Sequence, residues 1–290
     1  YYVAPAASGG SDANTGLAEK TPWLALQHAA FSVGPGDTVI VLPGTYAGFN
    51  IGEDNSGAPG APITFNARPG VIVDAAAATF NGQAHKARIN LDTTSWIIIE
   101  GFEVIGTNDQ RDSRAGVRSV CPPGSTTGHI IVRNNHIHNQ GRWGVFTGHS
   151  NAVTVENNHI HDIADEHGIY FSNSGDDHVA RNNIIHHCSS QGIHVNSDES
   201  QGGDGIMRNV LVEQNTIWEM SIGGPYIDPS GVPRVSPGGG SAVNFDGVQD
   251  SVIRNNLLYS NHASGISLYR IDGLLPASNN LVVNNTIING

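Results

Sequence analysis

The chain has 290 residues, of which only 14% are charged, with 36 glycines and a formal net charge of −12. That balance, with no Lys/Arg cluster to neutralise phosphates, argues against a nucleic-acid partner and leaves room for a bound cation. No apolar run approaches the ~18 residues that a membrane span needs.

Residues 1–75 read as an entry cap and first coils. Tyr2-Val-Ala is a first strand, and Ser8–Gly16 is a turn-rich loop. Thr21-Pro22 predicts an N-cap followed by proline at the first helical position. The helix would run to about Phe31, carry Trp23, Leu26 and Ala30 on one side, and cover the open end of a stack of apolar strands. Pro35–Tyr46 holds a buried strand between turns, and Pro62-Ile-Thr-Phe and Gly70–Asp74 begin the coils. The start at Tyr1 without a signal peptide fits a processed secreted protein as well as a trimmed piece, so a secreted, extracellular or periplasmic location is expected.

Residues 76–290 repeat themselves. His129–His138, Ala152–His161 and Asp177–His186 each end in a charged residue, Asn-Asn, one variable residue and Ile-His. A short strand opened by Gly144, Gly168 or Gly192 follows each copy. The motif asparagines Asn135, Asn158 and Asn183 step by 23 and then 25 residues. Asn215, Asn256 and Asn285 continue the series, and Phe102 holds the same place one copy earlier. A period in this range, built of period-two strands without helical patterning, predicts stacked coils of a parallel β-solenoid. The residue two before each motif position runs Glu100, Arg133, Glu156, Arg181, Glu213, Arg254. With coils roughly 4.8 Å apart, opposite charges would lie over one another, which reads as register control rather than a binding stripe. Cys121 and Cys188 fall about three coils apart, roughly 14 Å, beyond the ~7 Å limit for a disulfide, and are expected to be free. Loops 107–128, 198–208 and 219–240 interrupt a single domain over 1–290. The last motif, Asn285–Gly290, stops in mid-coil, so more chain, a further C-terminal domain or a partner is expected to follow.

The opening Tyr1-Tyr-Val-Ala-Pro with Asp12–Gly16, then Trp23–Ala30 and Pro35–Tyr46, together with the coil repeats, resembles the secreted right-handed parallel β-helix proteins of the pectate-lyase-like superfamily. These include pectate lyases, alginate and chondroitin lyases, and mannuronan C5-epimerases. The resemblance covers nearly the whole chain. It implies an all-β, right-handed parallel β-helix with a short N-terminal capping helix, and a carbohydrate-active enzyme. No catalytic set transfers with it. The epimerase Asp-Pro-His signature is missing from Gly168–Asn173, the lyase Asn-Lys-Ser is missing at Ser172–Gly175, and Asp176-Asp177 lacks the Gly-His-Gly partner of polygalacturonases.

Alternation along the glycine-opened strands turns Val145, Ile169, Ile193, Val243 and Ile266 inward. Their neighbours form an outward column of Arg118, Phe146, Tyr170, His194, Asn244 and Ser267. Two residues on lie Ser172, Asn196, Asp246 and Tyr269, beside Arg270, and the residues before the strands supply Trp143 and His167. Aromatic, imidazole and guanidinium groups on one face suit sugar rings and acid/base work, although a hydrated solenoid face is the plainer reading. The long loops would flank a groove centred on Tyr170, His194, Asn196, Asn244 and Asp246.

For a uronate polymer, Arg118 (or Arg142) would neutralise the carboxylate, and His167, Tyr170 and His194 would exchange protons. Trp143, Phe146, Asn196, Asn244, Asp246, Tyr269, Arg270 and Asp198 would bind substrate. Asp198 and Asp246, roughly 8 Å apart along the strands, also suit an inverting glycoside hydrolase. A non-catalytic carbohydrate-binding solenoid is the reading from another class. The outward pairs His136/His138 and His159/His161, with His186 next in line, read as a solvent-facing ladder or as transition-metal ligands. Asp162, Asp165, Glu166, Asp176 and Asp177 could hold Ca²⁺.

Overall fold

The computed structural model describes residues 1–220 and 223–288. The chain winds through three parallel sheets of ten, nine and eight strands, and each coil contributes a strand to each sheet in turn. The first sheet runs from Tyr2–Val3 to Leu281–Val283, and the second from Gly44–Ala47 to Thr286–Ile288. The third runs from Phe49–Ile51 to Ile266–Tyr269.

The repeat motif is the corner between the first and second sheets. Asn134, Asn157, Asn182, Asn255 and Asn284 take left-handed φ values of 53–56°, which asparagine tolerates better than most residues. The kink turns the next side chain inward, so Asn135, Asn158, Asn183, Asn215 and Asn256 are all buried. Their amides bond from coil to coil. Asn183 Oδ1 accepts from the backbone N–H and the Nδ2 of Asn158 at 3.0 and 3.1 Å. Asn183 Nδ2 in turn donates to the Val155 carbonyl and to Asn215 Oδ1.

Inside, each coil adds one aliphatic layer. Val132, Ile137 and Val145 lie under Val155, Ile160 and Ile169, then Ala180, Ile185 and Ile193, all buried. Each valine or isoleucine contributes about 1.5–3 kcal/mol when fully removed from water. Gly144, Gly168 and Gly192 open their strands where the stacking leaves no room for a side chain, while Ala242 fits at the next such corner. A β-carbon on Gly168 would sit 2.6 Å from Ile185 Cγ2 and 2.7 Å from the Gly192 carbonyl oxygen. Gly168→Ala is therefore expected to destabilise by about 1–3 kcal/mol, read as a lower urea midpoint. An unchanged midpoint would mean that the corner relaxes freely.

The capping helix is shorter than the sequence predicts. It spans Leu26–Ser32 with Ala25 at its N-cap, and not Thr21 to Phe31. Asp12 decides this, because its Oδ1 accepts the N–H groups of Leu24 and Ala25 at 2.8 and 3.0 Å. Trp23 meanwhile pairs with Val3 as an extension of the first sheet. Leu26, Ala29 and Ala30 are buried on the end layer, and Gln27 bonds both backbone groups of Asn50, closing the edge of the third sheet. Cys121 and Cys188 are buried and free.

Candidate active site

The register of the third sheet places Arg118, Phe146, Tyr170, His194, Asn244 and Ser267 in one column, as alternation predicts. Ser172, Asn196, Asp246 and Tyr269 form the column two residues on. His167, three residues before Tyr170 on the same coil, joins the first column from the side. Its ring lies 4.7 Å from His194 and 4.8 Å edge-on to Tyr170, and Tyr170 stacks on His194 at 4.9 Å.

Burial sets the protonation of this cluster. It pushes His167 and His194 down to about 3, with Arg142 adding to the effect on His167 and His167 to that on His194. Both imidazoles are therefore neutral at ordinary pH. Burial raises the Tyr170 phenol, so it keeps its proton, while Asn196 Nδ2 donates to its oxygen at 3.2 Å. Several buried polar atoms here lack any partner, namely His194 Nδ1, Asn196 Oδ1 and Asn244 Oδ1. Buried polar groups are nearly always satisfied, so three orphans gathered on one face set this cluster apart from the rest of the sheet.

Next to this cluster, a cavity of about 440 Å³ is lined by His85, Lys86, Arg111, Arg114, Arg118 and Trp143, among others. Trp143 stacks on Phe146 at 4.2 Å, and both Arg114 and Arg142 lie over its ring, at 4.9 and 4.4 Å. The arginines differ in their partners. Arg142 is held by Glu166, which also accepts from Trp143 Nε1 at 2.6 Å, so it positions the indole and is not a free cation. Arg118 donates to Asn90 Oδ1 at 2.8 Å, Arg114 Nε is buried without a partner, and among the described residues neither meets a carboxylate within 4.0 Å. Burial, with Arg142 close by, pulls Arg114 below the ordinary arginine value.

Part of the expected ligand set is committed elsewhere. Asp246 accepts the backbone N–H groups of Ile271, Asp272 and Gly273, which aims Asp272 at Asn196 Nδ2, 3.1 Å away. Asp198 caps the short 3₁₀ turn Glu199–Gln201 by accepting from the Ser200 amide and hydroxyl. Neither carboxylate faces the groove as half of a hydrolytic pair. Exposed Arg270 bonds the Gly273 carbonyl at the far edge, and half-buried Tyr269 closes the second column. The loops also divide differently from the expected single groove. Residues 225–227 and 233–235 form a hairpin that leans back onto Asn108–Gln110, and Pro229 then walls the arginine cavity. Loops 122–128 and 198–208 enclose a separate cavity of about 530 Å³ near His149 and Ser174.

Residues 75–236 match the family described as "Right handed beta helix region". The chain belongs to the right-handed β-helix family. This β-helix is similar in fold to the crystal structure of pectate lyase Pel9A, with a TM-score of 0.58 at 18% identity over 99% of this chain and 76% of that one. It is similar to XylC in its complex with xylose (0.58, 13% identity, 100% and 69% covered) and to the GH136 lacto-N-biosidase from Eubacterium ramulus (0.56, 14%, 99% and 67%). At these identities the likeness is one of fold. Comparison with curated proteins gave no match. No helix of the β-helix, among the described residues, is long and apolar enough to cross a membrane.

The acidic residues named for calcium are dispersed over protein partners. Asp162 holds His161, Asp165 accepts from Gln110, Glu166 holds Arg142, and Asp176 and Asp177 bond Arg208 and Asn209. Among the described residues of the β-helix, three ligand atoms from His, Cys, Asp or Glu converge only on the histidine ladder. Sequence reasoning missed Arg114, Lys86, His85 and Asp272, and it offered Glu166 to calcium rather than to Arg142 and Trp143. Arg114 was within reach of it, since it precedes its strand as Arg142 precedes Trp143.

Proposed function

We propose that this β-helix is a secreted enzyme acting on an acidic, uronate-containing polysaccharide, by β-elimination or C5 epimerisation. One observation carries the reading. Two guanidiniums without carboxylate partners, Arg114 and Arg118, flank an aromatic platform that adjoins two neutral imidazoles and a protonated phenol. In a chain of net charge −12, such cations suit an anionic ligand.

Arg114 and Arg118 would pair with the uronate carboxylate and so stabilise charge that builds when the C5 proton leaves. Neutral His194, or His167 beside it, takes that proton. Tyr170 gives its proton to the departing glycosidic oxygen in elimination, or to C5 from the opposite face in epimerisation. Half-buried Phe146, backed by Trp143, offers its face to a sugar ring. Proteins of similar fold, a pectate lyase, a lacto-N-biosidase and XylC in complex with xylose, support a carbohydrate substrate. Asp198 and Asp246 are engaged by hydrogen bonds from the loops that follow them and do not form the carboxylate pair a hydrolase needs.

The test offers alginate, pectate, glycosaminoglycans and neutral glycans to the protein. It follows the ultraviolet absorbance of unsaturated products, new reducing ends, and C5 inversion by proton NMR. Turnover on a uronate polymer by absorbance or inversion is expected, and Arg114→Gln with Arg118→Gln should lower kcat/KM by about ten- to 100-fold. Reducing ends without absorbance, action on neutral glycans alone, or silence on every readout would overturn the reading.

A further inference from the structure

A second constellation lies on the second sheet, away from the arginine cavity. His136 pairs in register with His159, and His138 with His161 and then His186, on strands His136–His138, His159–Ile163 and Ile184–Cys188. Across the diagonals, His136 Nε2 lies 2.7 Å from His161 Nε2, and His159 Nε2 lies 2.8 Å from His186 Nε2. The ligand nitrogens of His136, His159 and His161 all fall within 4.8 Å of one another.

Neighbouring carboxylates fix which nitrogens hold free lone pairs. Asp162 Oδ2 lies 2.7 Å from His161 Nδ1, so that nitrogen carries the proton and Nε2 is left as a base. Glu219 Oε2 lies 2.8 Å from His187 Nε2, and His187 Nδ1 lies 2.6 Å from His186 Nδ1. His187 therefore donates to Glu219 and accepts from His186 Nδ1–H, which leaves His186 Nε2 as a second base. His136 and His159 fill both lone pairs with their Nε2–H groups. An imidazole whose far nitrogen is held by a carboxylate is how proteins orient a metal ligand.

We propose that His136, His159 and His161, with His186 as a neighbouring fourth imidazole, bind a divalent first-row transition metal that ties three successive coils together. Imidazole nitrogens suit Zn²⁺, Ni²⁺ and Cu²⁺, whereas Ca²⁺ and Mg²⁺ take oxygen ligands. On binding, the ion replaces the bridging protons, and His136 and His159 move theirs to Nδ1. His136 Nδ1 lies 3.9 Å from Glu103, which can receive that N–H. At metal–nitrogen lengths of about 2.0–2.1 Å, tetrahedral ligands sit about 3.3 Å apart, so the diagonal pairs open by roughly half an ångström. His136, 41% exposed, can rotate that far while its strand stays in place.

The test uses protein without a polyhistidine tag, stripped with a chelator and titrated with Zn²⁺ by calorimetry and with Co²⁺ by visible absorption. One ion per chain is expected, with a tetrahedral Co²⁺ spectrum and a melting temperature that rises with Zn²⁺ concentration. Ca²⁺ should not compete. Saturable binding should vanish in the His136→Gln, His161→Gln double variant. It should weaken about ten- to 100-fold in Asp162→Asn, whose metal-free melting temperature should be unchanged. His262→Gln, an exposed histidine elsewhere, should leave binding intact. No saturable uptake, or uptake unchanged in the double variant or in Asp162→Asn, would overturn the site.

Discussion

His194→Gln is expected to lower kcat on a uronate polymer by roughly 10²–10⁴-fold, the usual contribution of a positioned general base, with little change in KM or melting temperature. Glutamine keeps much of the volume between Tyr170 and His167 while removing the basic nitrogen. The wild-type pH profile gives a second check. Burial depresses His194 from 6.5 to about 3, so its neutral, proton-accepting form persists as pH falls through the ordinary histidine range and is lost only in strong acid. The rate should therefore hold level through pH 6.5. A variant that keeps more than about a tenth of wild-type kcat would remove His194 from the base role. A wild-type acid limb at the ordinary histidine value would contradict its burial.

The largest stability effect is expected from Asn183→Ala. The substitution strips an acceptor from the Asn158 amide, a donor from the Val155 carbonyl and one donor from Asn215 Oδ1, all in the interior. Each orphaned buried group costs about 1–3 kcal/mol, so a loss of about 3 kcal/mol or more is expected. Urea unfolding with fluorescence and far-ultraviolet circular dichroism together would measure it. Parting of the two transitions would show that the stack separates at this coil, despite the hairpin 225–235 that ties it back to Asn108–Gln110. A loss below about 1 kcal/mol would mean that water takes over the missing bonds.

The coils were readable because each position in the motif has a consequence repeated at every step. An asparagine after a left-handed residue must turn inward, and Gly144, Gly168 and Gly192 must clear the following coil. The column from Arg118 to Ser267 followed from alternation alone. What stayed hidden depends on contacts across long separations. Asp12 reaches past Thr21-Pro22 to set the start of the helix, so a local capping signal lost to a tertiary one. Asp246 looked like a free carboxylate until three backbone amides arrived from the following loop. The hairpin 225–235 crosses back over earlier coils to Asn108, which strand alternation does not encode.

The ion pairs on the first sheet carry a further implication. Arg133 bonds Glu100, Arg181 bonds Glu156 and Arg254 bonds Glu213, each reaching to the coil before it. The charges thus close in couples, and the building block of this column is two turns of chain rather than one. Excising the turn that carries Glu156 would lay Arg133 against Arg181, and duplicating it would set glutamate on glutamate. A lineage that lengthens or shortens such a rod by copying DNA would keep like charges apart only when the change spans an even number of turns. Engineered versions of different length face the same parity rule.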